Sequence, residues 1–300
     1  MVWMVNDVLF NSAGQLMPHR HAEPGPMAEA PPQSARFDGR VVVVSGAGSR
    51  GEGIGNGRAA AVLLASAGAR VALLDRNREW AEATAEMIAA DGGTSLVLEA
   101  DVSEPDSCEA AVKEVVAQFG GVYGLVNNVG IGGPPGTAID VDPDDWDLGM
   151  RVNVKSMMLM SKYCLPHMIA SGGGSIVNVS SVAGLRGGTP SLLYPTSKAA
   201  VIGLTRAMAT HHGRAGIRVN CVAPGMVYTP MVASTGMTDE VRAARANRSL
   251  LGTEGNGWDV GHAVRFLLSD EARWITGVVF PVDAGTAAGT TAYPSLPTQR

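Results

Sequence analysis

The chain has 300 residues, 46% of them hydrophobic and 17% charged, enough apolar material for one sizeable core and a single domain. A formal net charge of -5 with no dense Lys/Arg run excludes the electrostatic footprint of a nucleic-acid binder. The three cysteines, Cys108, Cys164 and Cys221, are odd in number, far apart and without CxxC spacing, so neither a disulfide framework nor a zinc site is indicated, and a reducing cytoplasm is the expected compartment.

The N-terminal "MVWMVNDVLF" is apolar, but it lacks a basic leader and contains Asp7, which argues against a secretory signal. Residues 11–36 hold five prolines among scattered polar residues, and 1–36 together read as a disordered leader, with Met27 a second candidate start. His19 and His21 in that arm read as solvated rather than as metal ligands. No apolar run reaches the roughly 18 residues of a membrane span. The richest, Ala59 to Leu74, is broken by Arg70, so no membrane partner is expected.

From Arg40 onward, short β-branched runs alternate with helix-length segments. "RVVVVS", "ARVALL", "SLVLEA", "GLVNN", "SIVNVS", "IRVNCV" and "GVVFPV" are seven strand candidates. Near-continuous apolar strands are what a parallel sheet covered on both faces requires. The pattern predicts an α/β fold: one doubly wound, Rossmann-like domain over 37–285, with a seven-stranded parallel sheet and helices on both faces. The remainder, 286–300, with Pro294 and Pro297, reads as a loose or partner-packed tail.

The first strand runs into "SGAGSRGEGIGNGRA", whose six glycines allow two registers for a phosphate-cradling turn. Read as G-x-G-x-x-G on Gly46, Gly48 and Gly51, the helix would begin near Arg50 and carry Gly53, Gly55 and Gly57 in its first turns. Each interior glycine costs about 1 kcal/mol relative to alanine. Read with Gly46 closing the strand and Gly53-Ile54-Gly55 opening the helix, the helical body becomes Asn56 to Ala67, rich in alanine and leucine, and stops at Gly68. The second register is favoured.

Twenty residues after Gly55 the second strand ends in Asp75, placed to accept hydrogen bonds from the ribose hydroxyls of an adenosine, although a turn or cap role would suit it equally. "ADVS" at the end of the third strand puts Asp101 and Val102 beside an adenine site. "NNVG" after the fourth puts Asn128 and Gly130 where backbone can approach a cofactor closely.

Further along, "SIVNVSSVAGLRGGTPSLLYPTSKAAV" holds Ser181, Tyr194 and Lys198, with Tyr194 and Lys198 four apart and so on one helix face. A tyrosine is a poor acid or base near neutrality because its unperturbed pKa is about 10; Lys198 and an oxidised nicotinamide would stabilise the phenolate. Ser181, thirteen residues upstream at a strand end, could hydrogen-bond a substrate oxygen. A bare Y-x-x-x-K is ordinarily just an amphipathic helix, so these residues gain weight only from what surrounds them.

Taken in order, the glycine-rich turn, "LLDR", "ADVS", "NNVG", "MRVNVKS", "VNVSS", "YPTSK", "RVNCVAPGMVYTPM" and "ITGVVFPVDAG" resemble the short-chain dehydrogenase/reductase family from Arg40 to Gly285. The resemblance implies a tetrad: Tyr194 as general acid/base, Lys198 lowering its pKa and holding the nicotinamide ribose, Ser181 orienting the reacting oxygen, and Asn153 fixing a proton-relaying water. It further implies that Val227 and Thr229 of "PGMVYTP", following Pro224, contact the carboxamide and pyrophosphate, that Gly46, Ser49, Gly53, Ile54 and Gly55 surround the phosphates, and that Arg76 lies by the adenine. Three positions depart from the family pattern: Val129 replaces the alanine of Asn-Asn-Ala-Gly, Asp283-Ala284-Gly285 replaces Asp-Gly-Gly, and six residues rather than three separate Gly46 from Gly53.

The implied reaction is metal-free, reversible oxidation of a secondary alcohol to a ketone. NAD is expected rather than NADP because the Asp75 carboxylate would repel a 2′-phosphate, with Arg50 and Arg76 pulling the other way and Glu52 competing for Arg50. The substrate is expected beneath Tyr228 to Asn256, where Met226, Met231, Met237 and Leu250 could line an apolar pocket. Apolar faces on helices Asp144 to Ala170 and Tyr194 to His212 suggest a homo-oligomer, a tetramer by the resemblance. A non-catalytic dinucleotide-binding regulator or structural subunit would keep the glycines and Asp75 but would not need the tetrad. A methyltransferase on a similar sheet would not need it either.

Overall fold

The computed structural model describes residues 3–5, 8–10, 36–51, 53–234 and 236–290. The chain forms two units, 1–34 and 35–300. In the first, Trp3–Val5 pairs antiparallel with Val8–Phe10, Trp3 opposite Phe10. Residues 11–35 of the expected leader, Glu52, and 291–300 of the expected tail lie outside the described residues.

The seven apolar runs form one parallel sheet. Its strands are β1 (Val41–Ser45), β2 (Arg70–Asp75), β3 (Thr94–Glu99), β4 (Gly124–Asn127), β5 (Gly174–Val179), β6 (Ile217–Pro224) and β7 (Val279–Val282). The order is β7-β6-β5-β4-β1-β2-β3, so the strand order reverses between β1 and β4, where ligands of doubly wound sheets bind. The central strand shows why the runs do not alternate in polarity: Val42 and Val44 pack with Leu64, Val260 and Val264 on one face, and Val41 and Val43 pack with Val112, Met160 and Met168 on the other. Each such fully buried aliphatic contributes about 1.5–3 kcal/mol before ordering costs. The edge strands β3 and β7 are only partly covered.

Helix α1 (Asn56–Ser66) starts after Gly55 in the Gly53-Ile54-Gly55 register and closes at Gly68, where φ is +91°. The alanine-rich body explains the choice, and Gly57 enforces it: a Cβ there would overlap the Gly46 carbonyl and the Asn128 amide. Helix α2 (Arg78–Ala90) is capped by the Asn77 side chain, which accepts from Trp80 N at 3.0 Å, and α3 is Pro105–Phe119. Instead of one uninterrupted helix, the segment after Asp142 comprises α4 (Pro143–Met150), a π-turn (Arg151–Lys155) and α5 (Ser156–Ala170). Helix α6 (Leu193–His212) follows β5, short α7 (Pro230–Ala233) and α8 (Asp239–Ala246) follow β6, and α9 (Gly257–Leu268) precedes β7. Among the described residues no helix is long and apolar enough to cross a membrane.

Ala284, one of the departing positions, sits at φ +48° and its carbonyl accepts from Leu250 N at 2.9 Å. A left-handed alanine costs about 1–2 kcal/mol, partly offset by the smaller unfolded-state entropy of alanine. Ala284→Gly is therefore expected to raise stability by roughly 0.5–1 kcal/mol; a denaturant midpoint unchanged or lowered would show that the turn carries no such strain.

Candidate active site

Strand β5 ends at Val179 and delivers Ser180 and Ser181 to the sheet's C-terminal edge. Ser180 Oγ donates to the Lys198 carbonyl at 2.7 Å, tying that edge to α6. Ser181 is extended and caps a 3-10 turn, Val182–Gly184, its Oγ accepting from Ala183 N at 3.1 Å. The turn packs so tightly that a Cβ on Gly184 would lie 2.6 Å from the Lys198 backbone.

Tyr194 and Lys198 stand one turn apart on α6, the Lys198 Nζ 5.8 Å from the Tyr194 ring centroid. Lys198 is only 3% exposed, and its Nζ donates to the Val179 carbonyl at 3.1 Å. Burial pushes the Lys198 pKa down to about 8. Burial also raises the Tyr194 phenol above its ordinary value, opposed by a hydrogen bond with Ser181. Sequence reasoning expects Lys198 to lower Tyr194; in the protein alone desolvation of the half-buried ring is the larger influence on the phenol.

Asn153 sits in the π-turn, fully buried. Its Oδ1 accepts from Ile131 N at 2.7 Å, and its Nδ2 donates to Ile131 O at 2.9 Å and to Ser197 Oγ at 2.9 Å. Both polar atoms of the amide are engaged with protein, so the side chain acts on the loop after β4 and on α6. Gly130 completes the enclosure: a Cβ there would lie 3.0 Å from Lys198 Nζ and 3.4 Å from Asn153 Oδ1.

The expected cofactor contacts cluster at the β1/β4 end. Gly46 N donates to Leu74 O at 2.8 Å, and the Asn128 side chain donates to Gly46 O at 3.0 Å, so Asn128 shapes the turn. Asp75 is buried and accepts from Gly48 N and Asn77 N, both at 3.0 Å. A Cβ on Gly48 would lie 2.8 Å from that carboxylate and 2.5 Å from Trp80 Cβ. Ser49 Oγ and Asn56 Oδ1 are buried without a hydrogen-bond partner. Arg76 is exposed, and Arg50 reaches over Trp80 at 5.9 Å from the ring centroid. Asp101 accepts from Ser103 N at 2.9 Å beside buried Val102. Pro224 ends β6, buried Val227 donates its N–H to Gly225 O at 2.9 Å, and Thr229 precedes α7. Of the residues expected around the substrate, Met231 and Leu250 are exposed and Met226 and Met237 half-buried. An open cavity of about 750 Å³ lined by Arg40, Tyr123, Arg218 and Trp274 lies at the opposite, N-terminal ends of the strands.

Sequence reasoning missed Arg58. It is buried, donating to Thr84 Oγ1 at 3.0 Å and Gly53 O at 2.8 Å, and so clamps the glycine turn onto α2. Burial lowers its pKa while the Asp75 charge opposes that shift. A lone arginine within the alanine-rich start of α1 was the available signal.

Residues 49–287 match a family model described as enoyl-(acyl carrier protein) reductase. A short-chain type dehydrogenase/reductase of Sinorhizobium fredii is 39% identical over 82% of this chain and 97% of its own length. The meso-2,3-butanediol dehydrogenase of Serratia marcescens is 36% identical over 84% of this chain and 96% of its own. The chain belongs to the short-chain dehydrogenase/reductase family. A solved structure of 7α-hydroxysteroid dehydrogenase with NADH and 7-oxo glycochenodeoxycholic acid superposes with a TM-score of 0.79, at 30% identity, over 86% of this chain and 98% of that one.

Membership makes the protein an oxidoreductase and implies a nicotinamide dinucleotide cofactor. The site fits one. Orphaned Ser49 Oγ and Asn56 Oδ1 lie at the glycine turn, and a carboxylate ends β2 beside it. A buried lysine is an energetic liability, because desolvation disfavours its charged form. In the folded state Lys198 loses its proton near pH 8, whereas in the unfolded chain it holds it to about 10.4. Between those values the unfolded state binds more protons, so the lysine's destabilisation fades as pH rises. Lys198→Met without cofactor is expected to melt above the wild type at pH 7, with the gap closing by pH 10; a gap independent of pH would show that Lys198 is not held in a depressed state.

Proposed function

We propose that this short-chain dehydrogenase/reductase interconverts a secondary alcohol and a ketone with NAD, Tyr194 serving as general acid/base. The observation that carries the reading is the gathering of Tyr194, Ser181 and Lys198 at one strand end, where the Ser181 hydroxyl counters the upward push on the phenol and Lys198 stands one helical turn away. The butanediol and hydroxysteroid relatives act on compounds of this class, which supports the substrate type.

Gly46, Ser49, Gly53, Ile54 and Gly55 would hold the pyrophosphate, Asp75 and Arg76 the adenosine ribose, Asp101 and Val102 the adenine side, and Gly130, Pro224, Val227, Thr229 and Lys198 the nicotinamide end. When bound, the dinucleotide supplies the hydride donor or acceptor and, when oxidised, a positive charge. In ketone reduction the Tyr194 hydroxyl delivers a proton to the carbonyl oxygen, which Ser181 orients; in alcohol oxidation the phenolate removes it. The buried Lys198 ammonium stabilises that phenolate, and Asn153 keeps the loop after β4 and α6 in register. Three unpaired buried thiols suit a reducing compartment, taken here as the cytoplasm. Partly exposed Leu148, Met158 and Ile169 along α4 and α5 support a homotetramer, whereas Met157 and Met160 belong to the core.

Tyr194→Phe is expected to abolish turnover with cyclic and acyclic ketones while NAD still binds by calorimetry. Retention of more than about a tenth of kcat would leave a loss below roughly 1.4 kcal/mol, too small for an essential acid/base.

Preference for NAD follows from Asp75, already oriented by Gly48 N and Asn77 N toward the turn. A 2′-phosphate there would meet a like charge. Asp75→Ala is expected to raise the NADP/NAD ratio of kcat/KM by about tenfold or more, about 1.4 kcal/mol; a ratio left unchanged would transfer discrimination to Arg50.

A further inference from the structure

Glu254 is a carboxylate that the chemistry above does not use, yet its side chain is only 5% exposed. It accepts from Arg242 Nε at 3.0 Å through Oε2 and from Arg245 Nε at 2.5 Å through Oε1. Both arginines belong to α8 and are three residues apart, hence on one face of it. The Arg242 guanidinium also lies over the Tyr228 ring, 3.9 Å from its centroid, and Arg245 Nη2 donates to the Val227 carbonyl at 3.0 Å.

These contacts converge on a small parallel bridge in which Val227–Tyr228 pairs with Gly255–Asn256. The bridge leads directly to the proposed cofactor turn. Pro230 Cγ is 3.1 Å from where a Gly53 Cβ would be, and a Cβ on Gly257 would lie 2.7 Å from Ile54 O and 3.0 Å from Gly55 O. Helix α8, by contrast, buries none of its eight residues. A helix this short is marginal by itself and holds its place only through tertiary contacts. It is tied to the bridge by the Arg242–Tyr228 and Arg245–Val227 contacts, and the one Glu254 carboxylate holds both arginines in place, so removing it leaves the partly buried Arg245 without its counter-charge.

We propose that Glu254 is a positioning residue, anchoring α8 through Arg242 and Arg245 to the Val227–Tyr228 bridge, so that the order of α8 and the hold on the nicotinamide end are coupled. The catalytic tetrad lies elsewhere, so losing the anchor weakens ground-state binding of ketone and cofactor and leaves the chemical step nearly intact. The coupling rests on the NAD-dependent reading above; the anchoring of α8 does not.

The test uses the full chain with Glu254→Gln, Glu254→Asp and Arg242→Ala, the last at a side chain already 43% exposed and so safe for folding. Hydrogen exchange is read at residues 239–246 and, as internal reference, in α1 and α9. In Glu254→Gln, exchange over 239–246 is expected to rise about tenfold while the reference helices hold. The Kd for NAD by calorimetry and the ketone KM should each rise about tenfold, with kcat within about threefold of wild type. Glu254→Asp should recover most of the loss, and Arg242→Ala should shift the same quantities in the same direction by less. Unchanged exchange over 239–246 in both Glu254→Gln and Arg242→Ala overturns the anchor. Increased exchange with unchanged Kd and KM, or a fall in kcat alone, overturns the coupling. Were the wild type neither to bind NAD nor to reduce a ketone, the proposed function and the coupling would fall together, and the exchange measurement would still decide the anchor.

Discussion

One buried amide, that of Asn153, holds the reacting end of the molecule together. It bonds both backbone groups of Ile131 in the loop after β4 and donates to Ser197, whose hydroxyl donates in turn to the Tyr194 carbonyl at 2.8 Å. A regular helix from Pro143 to Ala170 would carry that side chain elsewhere on its circumference; the extra residue of a π-turn rotates it inward, a device common at functional positions. Three elements that meet nowhere else in sequence are thereby fixed to one another. An amide unpaired in such a place would cost about 1–3 kcal/mol, so the bonds also select this arrangement over looser ones.

Around that frame the site spends stability on poised groups. Lys198 is dry, and Tyr194 is drier than a phenol prefers to be when it must lose a proton. What offsets this is the core on both sides of the sheet, where Val42, Val43 and Val44 are all inaccessible. The same economy appears at Ala284, whose left-handed backbone places its carbonyl to bond Leu250 N and Leu251 N, linking the end of β7 to the connection ahead of α9.

How much of this was legible in the sequence follows from whether a feature is local. The strands were visible because a central parallel strand such as Val41–Ser45 must be apolar throughout, and the register of α1 because alanines and leucines, unlike glycines, propagate a helix. Ser181, Tyr194 and Lys198 were legible from spacing and order. The π-turn was not: "RVNVKS" has ordinary helical composition, and the partners that Asn153 meets from it, Ile131 and Ser197, are twenty-two and forty-four residues away. Arg58 and Glu254 escaped for the same reason, since each reads as a surface charge until the elements it joins, α1 with α2 and α8 with the Val227–Tyr228 bridge, are brought together in space.

The crowded glycines at 46 to 57 make sense in these spatial terms. Their turn is pressed from three directions, by Trp80 and Asp75 against Gly48, by Pro230 against Gly53, and by Gly257 against the carbonyls of Ile54 and Gly55. Side chains at such points would push apart α2, the connection after β6 and the start of α9, each of which carries or supports proposed cofactor contacts. Arg58 then supplies what glycines cannot, donors that tie the Gly53 carbonyl to Thr84 of α2. Glycine is thus required for thinness at positions 48 and 57 and for a left-handed backbone at 46, 51 and 53, while Arg58 and Trp80 pack against the turn.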